Sequence, residues 1–144
     1  MEYRLDELAT RLRESGYRLT PQRLGVVRAL VENDEHPSAE HVHQRISARL
    51  PTTSLATVYN TIEALKEIGE VLEVRPAQGP IRFDVRRPNR HTHLICTECA
   101  RVEDAHLAPE PEIEVGKFHV VGWQDLVVRL DLHGVCPGCQ AAGR

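Results

Sequence analysis

Across residues 3–15, Leu5, Leu8, Ala9 and Leu12 recur on one face at helical spacing, which predicts an amphipathic helix closed by Gly16. Thr20-Pro21 is a restart signal, a hydroxyl N-cap followed by proline at the first helical position. Leu24, Val27, Leu30 and Val31 are the expected buried stripe of the second helix, and the run from Asn33 to Pro37 breaks it. Ser38 caps a third helix carrying Ala39, Val42 and Ile46, which stops before Pro51. Ser54 caps a fourth, with Leu55, Val58, Ile62, Leu65 and Ile68 inward and Gly69 at its end. The period then shortens to two. Residues 70–76 and 80–87 predict strands around an Ala77-Gln78-Gly79 turn. His91–Cys96 and Ala100–Ala105 predict two more. Pro109, Glu110, Pro111, Glu112 and Glu114 predict a short acidic helix, because carboxylates favour a helix N-terminus. Gln124–His133 alternates, with Leu126, Val128, Leu130 and Leu132 on one face, and predicts a half-buried strand.

The fourth helix carries Ala56, Thr57, Tyr59, Asn60 and Glu63 on its outer side. These are small or hydrogen-bonding residues without a lysine or arginine fringe, as a helix entering a DNA major groove requires. Helices followed by a hairpin are the plan of a winged helix-turn-helix; a generic helical domain with a hairpin is the alternative. The division expected is residues 1–84 as a winged-helix DNA-binding domain and 85–144 as a small α/β domain, an α+β chain overall. Net charge is −3 over 144 residues, which does not mark a nucleic-acid binder in bulk. The distribution does more: Arg75, Arg82, Arg86, Arg87 and Arg90 face a single acid, Asp84, between residues 75 and 90. Such a strip suits phosphate, although a solvated linker would read the same way. Thr57, Tyr59 and Asn60 are expected at the groove; Arg18 and Arg23, flanking Thr20-Pro21, and Arg75 at the backbone. The N-terminus is charged and amphipathic, and no apolar run approaches the ~20 residues of a membrane span. A cytoplasmic protein without a membrane partner is expected.

All four cysteines lie in two CxxC pairs, Cys96/Cys99 and Cys136/Cys139. Without a secretion signal this points to metal rather than disulfides. Four thiolates suit a closed tetrahedral Zn²⁺ site of structural role; a dithiol redox pair is the weaker alternative. Upstream, His91 and His93 are two apart and share a face if they lie on a strand. Asp84 ends the second hairpin strand, Asp104 follows the first CxxC turn, and His36 sits in the break between helices two and three. Taken singly, His36 and Asp84 read as surface residues, as do His41, His43, His106, His119 and His133.

TPQR (20–23), HPSAEHV (36–42), LATVYNTIEAL (55–65), RFD (82–84), HTHLICTEC (91–99) and CPGC (136–139) together resemble the ferric uptake regulator superfamily, over nearly the whole chain and in order. The resemblance implies a homodimeric, metal-responsive transcriptional repressor binding inverted-repeat operators, with the C-terminal half as the dimerisation domain. It also implies a regulatory site. The ligand set of its peroxide-stress (PerR-type) branch falls on His36, Asp84, His91, His93 and Asp104, taking Fe²⁺ or Mn²⁺. Iron-sensing members usually carry Glu at the positions of Asp84 and Asp104 and a further His on the last strand, which is missing in Asp125-Leu126-Val127-Val128. Those departures tilt the expectation to peroxide sensing, with iron- or zinc-uptake regulation as the alternative. No enzymatic activity and no small-molecule substrate are expected. A zinc hydrolase built on His91, His93 and an Asp would need a water-activating acid in a pocket, and no such motif is visible.

Overall fold

The computed structural model describes residues 2–33, 35–85, 91–105, 122–124, 126 and 128–143. Four helices come first: α1 (Glu2–Glu14), α2 (Pro21–Val31), α3 (Ala39–Ser47) and α4 (Leu55–Glu67). Their starts follow the caps in the sequence. The side-chain oxygens of Thr20, Ser38 and Ser54 accept the backbone N–H of Arg23, His41 and Thr57, satisfying donors the first turn leaves over. Leu5, Leu8, Leu12, Val27, Leu30, Val42, Ile46, Val58, Ile62 and Leu65 close one core. One position of the expected stripe departs: Leu24 is exposed, and Val26 and Ala29 are buried in its place. Next to Leu24, Gly25 faces the α3–α4 connection closely; a Cβ there would lie 2.6 Å from Leu50 Cδ1.

The hairpin pairs β1 (Leu72–Val74) with β2 (Arg82–Asp84), antiparallel, with Leu72 opposite Asp84. Phe83 and Val85 join the helical core, which anchors the end of β2. Glu70 is fully buried, its side chain held by Arg4 at 2.5 Å and by Arg11. Arg4 Nε also donates to the Val85 carbonyl at 2.8 Å.

A second sheet has the order β4-β3-β5, formed by β3 (Thr92–Cys96), antiparallel β4 (Val102–Ala105) and parallel β5 (Asp131–Gly134). Ile95 and Val102 pack on Val74 of the hairpin. The last strand is shorter than the alternation over Gln124–His133 predicts. Pairing begins at His93 opposite Asp131, and residues 128–130 lie outside any strand. Leu126 and Leu132 are exposed in the single chain rather than half-buried. A short α5 (Pro137–Ala141), which the sequence pattern does not predict, starts inside the second CxxC with Pro137 in its first turn. The acidic helix expected near 109–114, His106, His119 and the strip arginines 86, 87 and 90 lie outside the described residues. Among the described helices none is long and apolar enough to cross a membrane.

Candidate metal centres

The CxxC of Cys96 and Cys99 turns between β3 and β4. Cys96 N–H donates to the Arg101 carbonyl and Ala100 N–H to the Cys96 carbonyl, with Ala100 at φ 57° to complete the turn. The second CxxC follows β5 and opens α5. The parallel β3–β5 register brings the two turns together: Cys96 Sγ lies 3.9 Å from Cys139 Sγ, and Cys99 Sγ lies 3.8 Å from Cys136 Sγ. A disulfide needs about 2.05 Å, so these are four free thiols. Four sulfurs at about 2.3 Å from a common Zn²⁺ form a tetrahedron with edges of about 3.8 Å. The cluster therefore fits zinc. Backbone N–H groups of Cys136 and Cys99 on Cys96 lower its thiol to about 6, with the Cys136 bond measuring 3.3 Å. Burial, reinforced by the neighbouring cysteines, pushes Cys139 up to about 12.

The second cluster draws on four places in the fold. His36 stands in the α2–α3 break, Asp84 ends β2, His91 and His93 flank the start of β3, and Asp104 lies on β4 directly opposite His93. One ligand atom from each lies within 4.8 Å of the others. His36 Nε2 is 3.0 Å from Asp104 Oδ1, and His91 Nε2 is 3.1 Å from Asp84 Oδ2 and 3.2 Å from Asp104 Oδ1. At those separations hydrogen bonds would be expected, yet His36 Nε2, His93 Nε2 and Asp104 Oδ1 are buried and make none. Instead, the five residues crowd one ligand atom each to within 4.8 Å of one another. Adjacent ligands of an octahedral ion at about 2.1 Å stand about 3.0 Å apart, so the spacing matches a cation among three imidazoles and two carboxylates. A set without thiolate suits Fe²⁺ or Mn²⁺. His36 holds φ 49°, a left-handed conformation rare outside glycine and found at sites that constrain the backbone. Burial holds the His93 imidazole below its ordinary value, with Asp131 opposing.

Both clusters thus contain the residues expected from the sequence. Of the remaining histidines described, His43 is tied to the Thr53 carbonyl at 2.9 Å, and His41 and His133 are exposed and join neither cluster. On α4, Tyr59 and Asn60 are exposed and Thr57 is half-buried. Tyr59 donates its hydroxyl proton to Glu40 on α3 at 2.7 Å, a bond that lowers Glu40 and raises Tyr59. Arg18 is exposed. Arg23 turns back, with Nη1 on the Arg18 carbonyl at 2.7 Å and its guanidinium 5.4 Å over the Tyr17 ring. Arg75 is exposed and pairs with Glu73 at 2.6 Å. Three features had no signal of their own in the sequence: Glu40 behind Tyr59, Asp131 beside His93, and the buried Glu70. Each partner is remote in the chain and is supplied only by packing or strand register.

Residues 14–133 match the family model described as the ferric uptake regulator family. The peroxide-responsive repressor PerR of Staphylococcus epidermidis is 34% identical over 143 residues, 99% of this chain and 95% of that repressor. Among solved structures, the Helicobacter pylori ferric uptake regulator Fur superposes with a TM-score of 0.74 at 23% identity, over 96% of this chain and 93% of the other, a likeness of fold. A zinc-bound manganese uptake regulator gives a TM-score of 0.66 at 30% identity, over 92% of this chain and 98% of the other.

Proposed function

The chain belongs to the ferric uptake regulator family, whose members are transcriptional regulators, and from that premise we propose that it is a metal-dependent DNA-binding repressor that senses peroxide. One observation carries the reading: five nitrogen and oxygen ligands from both halves of the chain converge on one point, with no thiolate among them. His36 comes from the helical half, Asp84 from the hairpin, and His91, His93 and Asp104 from the second sheet. Filling that point draws the two halves into one arrangement, which a ligand can do only by binding that arrangement better than its competitors. Coupling of about 1–3 kcal/mol is usual for such linkage. Two carboxylates one methylene shorter than the iron-sensor pattern, and a 34%-identical relative named for peroxide response, support the sensor reading over iron uptake.

The Cys96, Cys99, Cys136 and Cys139 cluster would hold zinc as a permanent structural ion. The exposed Leu94, Leu126 and Leu132 in the C-terminal half support that half as the dimerisation domain. In a homodimer, two α4 helices would enter successive major grooves about 34 Å apart, on an inverted-repeat operator. Thr57, Tyr59 and Asn60 would meet base edges. Arg18, Arg75 and Arg23, the last already committed within its own chain, would meet phosphates.

Bound Fe²⁺ would supply the one-electron chemistry by which peroxide oxidises a coordinating imidazole, and Mn²⁺ would not. His36 and His91, both buried or nearly so and both within 3.2 Å of Asp104, are the rings at risk. An oxidised ring is a poor ligand, so the halves separate and DNA is released. The test is anaerobic treatment of the Fe²⁺-loaded protein with one equivalent of peroxide, followed by peptide mass spectrometry and a DNA-binding assay on its own upstream region. Added oxygen on the peptides bearing His36 or His91, with loss of binding, is the expected result. Unmodified peptides and intact binding defeat the sensor reading. Metal-dependent binding that ignores peroxide would establish the second reading, a metal-uptake repressor, which the resemblance to a manganese uptake regulator supports.

A further inference from the structure

Parallel strands β3 and β5 place His93 and Asp131 side by side in register. Residues level with each other on neighbouring strands project to the same face, and here the side chains meet: His93 Nδ1 lies 3.2 Å from Asp131 Oδ1. A carboxylate can only accept, so the proton of a neutral His93 sits on Nδ1. Its other nitrogen, Nε2, is then a bare lone pair; it is buried, makes no hydrogen bond with the protein, and is aimed into the cluster of His36, Asp84, His91 and Asp104. We propose that Asp131 is the positioning residue of the regulatory site: it fixes His93 in the tautomer and ring orientation that present Nε2 to the metal. The inference rests on the five-ligand reading above and deepens it.

The physical need is specific. A neutral imidazole left to itself prefers its proton on the ε nitrogen, which here would point an N–H at a cation. His93 is buried, and the partner on its far nitrogen selects the tautomer and ring orientation. Asp131 stands there because β5 runs on, five residues later, into Cys136. The strand that carries Asp131 thus leads toward the second CxxC, and the β3–β5 register decides which residue stands behind His93. That arrangement makes the two metal sites dependent on one strand without sharing a ligand.

The test uses the full zinc-loaded chain as wild type, Asp131→Asn, Asp131→Leu, Asp131→Ala and His91→Ala. Mn²⁺ binding is followed by calorimetry, and the His93 tautomer by multiple-bond ¹H–¹⁵N correlation before any Mn²⁺ is added. Wild type is expected to show Nδ1–H. Asp131→Asn, which still offers an acceptor oxygen, retains that tautomer and most of the affinity. Asp131→Leu moves the proton toward Nε2 and weakens Mn²⁺ binding about 10–100-fold, the usual effect of losing the partner behind a ligating imidazole. Asp131→Ala decides the matter should the leucine variant fail to fold. Nε2–H in wild type, or wild-type Mn²⁺ affinity in Asp131→Ala, overturns the inference. His91→Ala separates the two levels: if it binds Mn²⁺ like wild type, the five-ligand reading fails, while the His93 tautomer still judges Asp131.

Discussion

Replacing Cys96 by serine removes one sulfur from the four-cysteine cluster, the same sulfur that accepts the Cys136 N–H. The consequence can be sized from what else holds that half together. Among the described residues its apolar core is Ile95 and Val102, closed by Val74 of the hairpin. At about 1.5–3 kcal/mol per fully buried side chain, the three contribute roughly 5–9 kcal/mol. A structural zinc ion contributes about 10–16 kcal/mol at neutral pH. The metal outweighs the described apolar core, so Cys96→Ser is expected to lose zinc and unfold the β4-β3-β5 sheet and α5 while the helical half, with its separate core from Leu5 to Val85, stays folded. Elemental analysis should fall from one zinc per chain to near zero. Amide exchange should lose protection at Leu94–Cys96 and keep it in α2 and α4. Cys136→Ser should repeat both results from the other end of the β3–β5 pair. Zinc uptake must also displace the proton that burial holds on Cys139, so apparent zinc affinity should rise with pH. A Cys96→Ser protein with stoichiometric zinc and wild-type exchange would refute the reasoning, because it would mean the small apolar core suffices.

Two further outcomes can be checked on the purified chain. Glu70→Ala strands Arg4 and Arg11 around an emptied buried site and should cost about 3 kcal/mol in urea denaturation, the low end for a broken buried pair since both arginines can reach water. Unchanged stability would show that Glu70 is dispensable. The second outcome concerns acid. His93 is held by burial below its ordinary value, so the unfolded chain takes a proton near pH 6.5 that the folded, metal-free chain refuses. Stability from this source is therefore full above about 6.5 and lost as pH falls below it. Melting temperature should drop between pH 7 and 5 in the metal-free wild type and less steeply in His93→Gln; parallel slopes would remove His93 as the cause.

Much of this molecule is legible from residues close together in the chain. Thr20, Ser38 and Ser54 cap helices through bonds that span three residues, so the linear order reveals them. Cys96 and Cys99 make one turn, and His91 and His93 share a face, for the same reason. In two places the linear pattern misleads. Gln124–His133 alternates like a strand, but β5 begins only at Asp131, opposite His93 of β3. Leu24 has the spacing of a core residue, yet it is exposed while Val26 and Ala29 are buried.

The chain alone thus determined which residues are chemically able to act: two CxxC pairs, three histidines and two short carboxylates, and a helix with small, hydrogen-bonding residues on its outer face. Local periodicity and capping place those residues on elements because the forces involved act over three or four positions. The tertiary structure alone decided that His36 meets Asp104 across nearly seventy residues, that Glu40 takes the Tyr59 hydrogen bond, and that Asp131 stands behind His93. Those contacts arise from strand register and helix packing, where one step of slip would turn every side chain to the opposite face. No spacing along the sequence encodes them.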